Sequence, residues 1–319
     1  MLEILVITTP IFLIIGLGYL ARAGRLIDHE ALKGIGTFVM YFALPALVIR
    51  ALTQNPLEEV FDPHYLLAYG AGSLAVFGLG LALTLGLERK TLAAGAIQSL
   101  GMSASNSGFI GYPVAAMALG PPAAVFLALN MLIENLLIIP LALILAELGH
   151  QTGNGLRETL RQTGLRLVRN PILIGLAIGV LLAATGQPLP RSLAKVVDML
   201  AGAAGPAALF VIGGSLFGLR VQGMALDMGQ IAVGKLVLHP LAVLGVFLLL
   251  PDVDPLLITG ALLFACAPMI SVYPLFGQRF GLGDICAATL MVSTLASFVT
   301  ISLVLWLTRH SGLFVLSTG

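Results

Sequence analysis

Charged residues are scarce in this sequence. Asp, Glu, Lys and Arg make up 10% of its 319 residues, whereas soluble domains contain about 25%. Apolar residues make up 58% of the chain and the mean hydropathy is +1.03, so the polar residues are too few to cover a water-exposed surface. A soluble globular protein is therefore excluded. Because runs of about 20 apolar residues recur, each long enough to cross a bilayer, the sequence predicts a polytopic membrane protein.

Cysteines and basic clusters are also nearly missing. Cys266 and Cys286 are the only cysteines, and both lie in apolar segments, which indicates buried thiols rather than a disulfide or a metal pair. The net charge is +1 and no basic run occurs, which excludes a nucleic-acid partner. We recognise no metal-binding cluster, phosphate-binding loop or pair of nucleophile and base, so we expect neither an enzyme nor a bound cofactor or metal.

The apolar runs predict ten transmembrane helices, near residues 3–21, 31–53, 65–87, 92–119, 122–146, 171–186, 192–218, 229–250, 256–279 and 284–308. Lys and Arg are more numerous in the loops on one side of the membrane than on the other, and cytoplasmic loops are usually the ones enriched in them. We therefore expect the side with more Lys and Arg to be cytoplasmic. Both termini would then lie outside the cytoplasm, and the chain would lie in the inner (plasma) membrane. Eleven of these residues lie on one side, Arg22, Arg25, Lys33, Arg89, Lys90, Arg157, Arg161, Arg166, Arg169, Arg220 and Arg279, and four lie on the other, Arg50, Arg191, Lys195 and Arg309.

The longest hydrophilic connection divides the predicted helices into five and five. Two halves of five helices enter the membrane in opposite orientations, which is the inverted-repeat plan of many secondary transporters. We expect a first repeat over residues 1–147, a cytoplasmic loop over 148–170 and a second repeat over 171–319. In each repeat the fourth helix is interrupted by proline and polar residues, within SNSGFIGYP in the first and CAPMISVYPLFG in the second.

The two interruptions predict a binding site. Proline removes a backbone hydrogen bond from a helix, and unpaired backbone in a membrane is tolerated only against protein or a water-filled cavity. Two broken helices that meet near mid-membrane would direct two helix N-termini at one place, which favours an anionic ligand. Asn106 is the sharpest candidate, either as a ligand contact or as a helix cap. Ser103, Ser105, Ser107 and Ser271 are weaker candidates, because serine often bonds its own helix backbone.

Ionisable residues within the predicted helices are further candidates, because they are costly to place in a membrane. Glu134 lies one turn after Asn130 on the same helix face, and it either binds a coupling cation, carries a proton or makes a structural hydrogen bond. Lys235 and His239 share a face of the eighth helix in the same way. Lys235 either offsets substrate charge or extends to the cytoplasmic surface. Tyr41 in the second helix is a candidate substrate contact.

Three stretches resemble the auxin efflux carrier family, which includes plant PIN-type carriers and bacterial permeases for malate- or malonate-like acids. The motif N-x-x-x-x-G-x-P is present as Asn106, Gly111 and Pro113, and R-N-P is present at residues 169–171. The resemblance covers nearly the whole chain. Its third stretch has two prolines and then LFGQRFG, with Met269 at a position that is often polar in the plant carriers, and the prolines are Pro268 and Pro274.

The resemblance implies an all-α fold of ten helices in two inverted repeats, similar to PIN carriers and bile acid:sodium symporters. It implies a scaffold of predicted helices 1, 2, 6 and 7, a transport domain of helices 3–5 and 8–10, elevator-type movement and a homodimer built on the scaffold. Substrate contacts would come from the two interruptions and from helix 2, at Ser105, Asn106, Ser107, Gly111, Pro113, Pro268, Met269, Ser271, Pro274 and Tyr41.

The expected function is secondary transport of a small organic anion, such as a malate-, malonate- or auxin-like carboxylate, by alternating access. The expected partners are this anion, H⁺ or Na⁺ as a coupling ion, the membrane lipid and a second copy of the chain. Two alternatives stay open. One is a cation/proton exchanger of related architecture, which would favour Asp residues beside the interruptions, where this chain has Asn106 and serines. The other is a membrane sensor that does not transport.

Overall fold

A computed structural model of the chain describes residues 2–54, 61–149, 156–186, 189–218 and 225–310. Within these ranges the regular structure is helical and no strand occurs. The helices are α1 (Leu2–Ala23), α2 (His29–Gln54), α3 (Pro63–Leu87), α4 (Leu92–Ser103), α5 (residues 107–119), α6 (Pro122–Leu148), α7 (Leu156–Val168), α8 (Pro171–Ala184), α9 (Arg191–Leu216), α10 (Ala225–Phe247), α11 (Pro255–Ala265), α12 (Tyr273–Arg279) and α13 (Gly283–His310).

Six helices in the described part are long and apolar enough to cross a membrane, namely α2, α3, α6, α9, α10 and α13. Shorter apolar helices lie at 9–23 within α1, in α8 and in α11. The chain is therefore an all-helical membrane protein in these ranges. The helix α7 was not expected, because the sequence analysis treated residues 148–170 as a loop. Arg220, one of the orientation residues, lies outside the described residues.

Polar side chains at the helix starts explain where several helices begin. The Asp28 Oδ1 atom accepts a hydrogen bond from the Ala31 N–H at 2.7 Å, before α2. Asp62, Asn170 and Asp254 cap α3, α8 and α11 in the same way, and each is followed directly by proline. Such caps satisfy N–H groups that have no partner in the helix. Proline is well suited to the next position, because its missing N–H is not needed there.

Several helices contain one widened turn that ends just before a proline. In α6, for example, the Ile139 N–H donates to the Glu134 carbonyl, five residues back, and Pro140 follows. Because proline has no N–H, the wider turn lets the helix continue past it. Turns of this kind are frequent at functional sites. The widened turns before prolines are Val39–Ala43, Ser107–Gly111, Glu134–Ile138 and Gly234–Leu238.

Glycine allows α1 to approach α9 very closely. A Cβ atom at Gly18 would lie 2.1 Å from the Phe210 carbonyl oxygen, and one at Gly213 would lie 1.9 Å from the Ile15 carbonyl oxygen. These atoms belong to the backbone and cannot move aside as a flexible side chain can. Small residues that let helix backbones touch are typical of membrane helix packing.

Glycine has the same role between α3 and α10. A Cβ at Gly72 would lie 2.8 Å from the Val243 Cα. The contact between α9 and α5 is looser, since a Cβ at Gly205 would lie 3.9 Å from Tyr112. Close approaches therefore join α1 to α9 and α3 to α10, whereas Gly205 of α9 meets α5 at an ordinary packing distance.

The two segments singled out by their prolines are both broken. Residues 104–106 separate α4 from α5, and residues 266–272 separate α11 from α12. Cys266, at the start of the second break, and Cys286 are buried free thiols, as the sequence indicated.

Candidate functional site

The two broken segments lie against each other, and Asn106 joins them. Its backbone N–H donates to the Pro268 carbonyl oxygen at 2.7 Å, and its side-chain Nδ2 donates to Ser271 Oγ, also at 2.7 Å. Its Oδ1 accepts from the Phe109 N–H at 3.3 Å, which caps the start of α5. Asn106 therefore acts as a helix cap and as the link between the two breaks at the same time.

A cavity of about 400 Å³ lies beside this link, within the range of about 300 to 1,000 Å³ that is common for small-molecule sites. Its lining comes from α2, α5, α6, α8, α9 and both breaks. The candidate residues that line it are Tyr41, Ser105, Asn106, Ser107, Glu134 and Ser271. These side chains, which are far apart in the sequence, therefore surround one space.

The cavity also extends along α2 toward the N-terminus of that helix. His29, Lys33, Thr37 and Tyr41 line it at successive turns. With Leu44 beside the first break, the lining runs for about 22 Å at 1.5 Å per residue. Lys33 is exposed, so it places a positive charge at the end of the cavity away from Asn106.

Other candidate residues lie outside the lining of this cavity. Gly111 is buried against Phe264, whose ring would lie 2.7 Å from an added Cβ. Asn130 accepts a hydrogen bond through Oδ1 from the Tyr65 hydroxyl at 3.2 Å, and the Ser103 hydroxyl donates to the Ser99 carbonyl of its own helix at 2.7 Å. The further candidates outside the lining are Pro113, Pro268, Met269, Pro274, Lys235 and His239.

Glu134 bonds the backbone at the first break. Its Oε1 atom accepts from the Ser105 N–H at 2.9 Å and from the Ser107 hydroxyl at 2.8 Å. The side chain is 1% exposed and still contributes to the cavity lining. The structural hydrogen bond considered for Glu134 is therefore present, and it does not separate the carboxyl group from the cavity.

Lys235 is fully buried and does not extend to the surface. Its Nζ donates to Ser105 Oγ at 2.9 Å and to the Ala265 carbonyl at 2.7 Å, and it lies 2.7 Å from His239 Nδ1. A lysine ammonium has three donors, which is enough for all three of these partners. On the other side of the imidazole ring, His239 Nε2 lies 2.8 Å from Ser73 Oγ.

Ser105 connects the two buried charges. Its N–H bonds Glu134, its Oγ accepts from Lys235, and the same Oγ lies 2.9 Å from the Tyr69 hydroxyl. Buried charges are tolerated when they are paired and hydrogen-bonded. Sequence reasoning did not find this connection, because Ser105 is one serine among several near the break and its partners come from three other helices.

Two asparagines at the cavity were also missed. Asn170 Nδ2 donates to Asn135 Oδ1 at 2.9 Å, which joins α8 to α6, while Asn170 Oδ1 caps α8. Both residues line the cavity. The only signal was indirect, since Asn170 lies in the R-N-P stretch and Asn135 follows Glu134.

Comparison with known proteins identifies relatives over nearly the whole chain. A family model described as membrane transport protein matches residues 4–306. A protein of Rhizobium meliloti (strain 1021) named "Putative malonate transporter" is 32% identical over 319 residues, which cover 98% of each chain. The lysosomal cholesterol signaling protein of Mus musculus is 25% identical over an alignment of 314 residues, which covers 91% of this chain and 36% of that protein.

Proposed function

The chain belongs to the membrane transport protein family, the auxin efflux carriers, and from this premise we propose that it carries small organic anions across a membrane as a secondary transporter. The observation that carries the proposal is the position of Asn106, which links the two broken segments and faces a cavity of about 400 Å³. The substrate would bind in that cavity, beside the start of α5.

The surroundings of the cavity favour an anion. Ser107, Gly108 and Phe109 form the first turn of α5 and line the cavity, and the N-terminal end of a helix carries a partial positive charge that attracts anions. Lys33 adds a positive charge at the far end. The bacterial relative is named as a malonate transporter, so malonate is the first substrate to test.

We propose ten membrane crossings in two inverted repeats, α1–α6 and α8–α13, with the pairs α4–α5 and α11–α12 each forming one broken crossing. This arrangement rests on the matching breaks in the two halves. It would place the charged loops with Arg22, Arg89 and Arg279 in the cytoplasm of an inner-membrane protein and both termini outside it.

We propose that α1, α2, α8 and α9 form a scaffold and that α3–α6 and α10–α13 form a transport domain that moves as an elevator. The glycine contacts to backbone described above lie within one group or the other, whereas Gly108 of α5 packs against the Leu44 side chain of α2, across the two groups. Of the side-chain hydrogen bonds described above, one joins the two groups, the bond between Asn170 and Asn135. An interface with few polar bonds can slide at low cost, because few buried donors and acceptors lose their partners.

A homodimer built on the scaffold is also proposed, as the family resemblance implies. The first half of α9 supports it, because apolar residues are exposed there together with charges. Leu193, Val196 and Met199 are 53%, 52% and 68% exposed, and Lys195 and Asp198 are exposed beside them. A partner scaffold would cover these side chains.

Transport by purified protein in liposomes tests the proposal. We expect uptake of labelled malonate, or of another carboxylate in a panel, with imposed pH and Na⁺ gradients revealing the coupling ion. Asn106→Ala should abolish uptake while the protein stays folded. Ser103→Ala is the matched control, because its hydroxyl bonds only its own helix in the described structure. Uptake of no carboxylate, or normal uptake by Asn106→Ala, would contradict the proposal.

A membrane sensor is the second candidate function, and the mouse relative favours it because its printed name describes signaling. That name belongs to a protein of which this chain matches 36%. The same liposomes separate the two functions: a sensor would bind a ligand without moving it across the membrane. A cation/proton exchanger would instead move Na⁺ against H⁺ with no carboxylate present.

A further inference from the structure

The buried pair Glu134 and Lys235 has no part in the substrate contacts proposed above. The two side chains are linked through Ser105, which bonds one through its N–H and the other through its hydroxyl. With both groups charged, the pair is neutral. The two members differ in their access to the cavity, since Glu134 lines it and Lys235 does not.

Lys235 lies away from the cavity among polar partners. Its Nζ donates to Ser105 Oγ and to Ala265 O, and it lies 2.7 Å from His239 Nδ1. A protonated lysine has three donors, which is enough for all three partners. Because Glu134 is the member of the pair that lines the cavity, a proton exchanged with the cavity is exchanged at its carboxyl group.

Glu134 occupies the donors that an anionic substrate would use. Its Oε1 takes the Ser105 N–H and the Ser107 hydroxyl at the start of α5, the same helix start that would attract the substrate carboxylate. Two carboxylates at one small site repel each other, and such sites are occupied when one carboxyl holds a proton.

We propose that the substrate anion binds together with one proton, which is held on Glu134. The Glu134 carboxylate takes up a proton from the bulk solution through the cavity and becomes a neutral acid, so that a protonated Lys235 then balances one carboxylate of the substrate. Release of the anion on the other side returns the proton to water there. This inference rests on the proposed function and makes the carrier an anion/proton symporter.

Other titratable groups around Glu134 have fixed roles in the hydrogen-bond network. On α10, His239 contacts Lys235 Nζ through Nδ1 and Ser73 Oγ through Nε2. On α3, the Tyr65 hydroxyl bonds Asn130 and the Tyr69 hydroxyl bonds Ser105. Cys266 is a buried thiol beside the second break. His29 and Lys33 lie at the other end of the cavity and are exposed to water there.

Proton uptake on binding tests the inference directly. Malonate is titrated calorimetrically into purified protein, in buffers of different ionisation enthalpy, at a pH where free malonate is a dianion. We expect about one proton taken up per malonate by the wild-type protein and about none by Glu134→Gln. Glutamine keeps an oxygen for Ser105 and Ser107 and mimics the neutral acid, so the variant should fold and bind.

Glu147→Gln is the control, because Glu147 is a buried carboxylate that is paired with Arg279 at 2.7 Å, away from the cavity. Malonate binding by Glu147→Gln should take up the same number of protons as binding by the wild type. In liposomes, an inward pH gradient should drive malonate accumulation by the wild type and by Glu147→Gln but not by Glu134→Gln.

Three results are distinguishable. Malonate binding by the wild type without proton uptake overturns the proton inference and leaves the carrier function intact. Equal proton uptake by Glu134→Gln also overturns it, since another group would hold the proton. If no carboxylate of the panel binds at all, the proposed function itself fails, and the inference that rests on it fails with it.

Discussion

Replacing Lys235 by methionine tests whether the buried charges stabilise each other through Ser105. Methionine has a similar length and no charge, so the helix and its packing should be kept. The substitution removes the donor of Ser105 Oγ, Ala265 O and His239 Nδ1. It also leaves the Glu134 carboxylate without a cation. Removing one member of a buried ion pair costs about 3–5 kcal/mol, and we expect the free energy of unfolding to fall by about that amount.

The share of this loss that comes from the two charges can be worked out. Two unit charges that bond the N–H and the hydroxyl of the same serine, each at 2.9 Å, interact by on the order of 2 kcal/mol at an effective dielectric constant of about 20. Glu134→Gln removes the negative charge but keeps an acceptor for Ser105 and Ser107. In that background, Lys235→Met should therefore cost about 2 kcal/mol less than it does in the wild type.

Equilibrium unfolding in mixed detergent micelles, followed by helical circular dichroism, gives the four free energies of this double-mutant cycle. The measured coupling should not depend strongly on salt, because both side chains are buried. A coupling energy below about 0.5 kcal/mol, which is the usual error of additivity, would refute the reasoning. The three hydrogen bonds of Lys235 would then account for its cost alone, and its charge would have no part in holding Glu134.

Two further predictions concern the scaffold and the cavity entrance. Gly213→Ala should prevent stable folding, because its Cβ would lie 1.9 Å from the Ile15 carbonyl oxygen. The measurement is the loss of a monodisperse peak in size-exclusion chromatography in detergent. Gly202→Ala should behave as the wild type, because no atom lies within 4 Å of a Cβ added there. Lys33→Gln should raise the KM for malonate several-fold at low ionic strength, with kcat unchanged, because the cavity entrance loses a charge that attracts anions. The KM difference should shrink in high salt, and a difference that persists there would contradict an electrostatic role.

Local signals explain why the helices and their breaks could be read from the sequence. The apolar runs define α2, α3 and α6 to within a few residues, and Asp62 and Asn170 mark two of the helix starts by side-chain capping. Proline disrupts the helical hydrogen bonding of its own turn, so Pro113 and Pro274 indicated where the two helices are broken. A helix within residues 148–170 was missed because a polar loop helix lacks the long apolar run that marks a membrane helix.

The connections within the site could not be read in the same way. Spacing of four residues placed Lys235 beside His239, but it did not show whether the lysine reaches the surface or the interior. Helix packing decides that question, because the acceptors Ser105 and Ala265 come from other parts of the chain. Glu134 was recognised as a costly intramembrane charge, whereas its bonds to the first break depend on how α6 lies against α4 and α5.

Hydrogen bonds within the proposed transport domain can persist while that domain moves, whereas a bond between it and the proposed scaffold has to break. The bonds of Asn106, Glu134 and Lys235 lie within the proposed transport domain, so they can persist while that domain moves. The bond between Asn170 and Asn135 crosses to the proposed scaffold, and it must break in any sliding motion of α6 past α8. Its loss leaves two amides at the lining of the cavity, where entering water would hydrate them. A polar link of this kind at the edge of the cavity can therefore favour one position of the proposed transport domain without preventing the other.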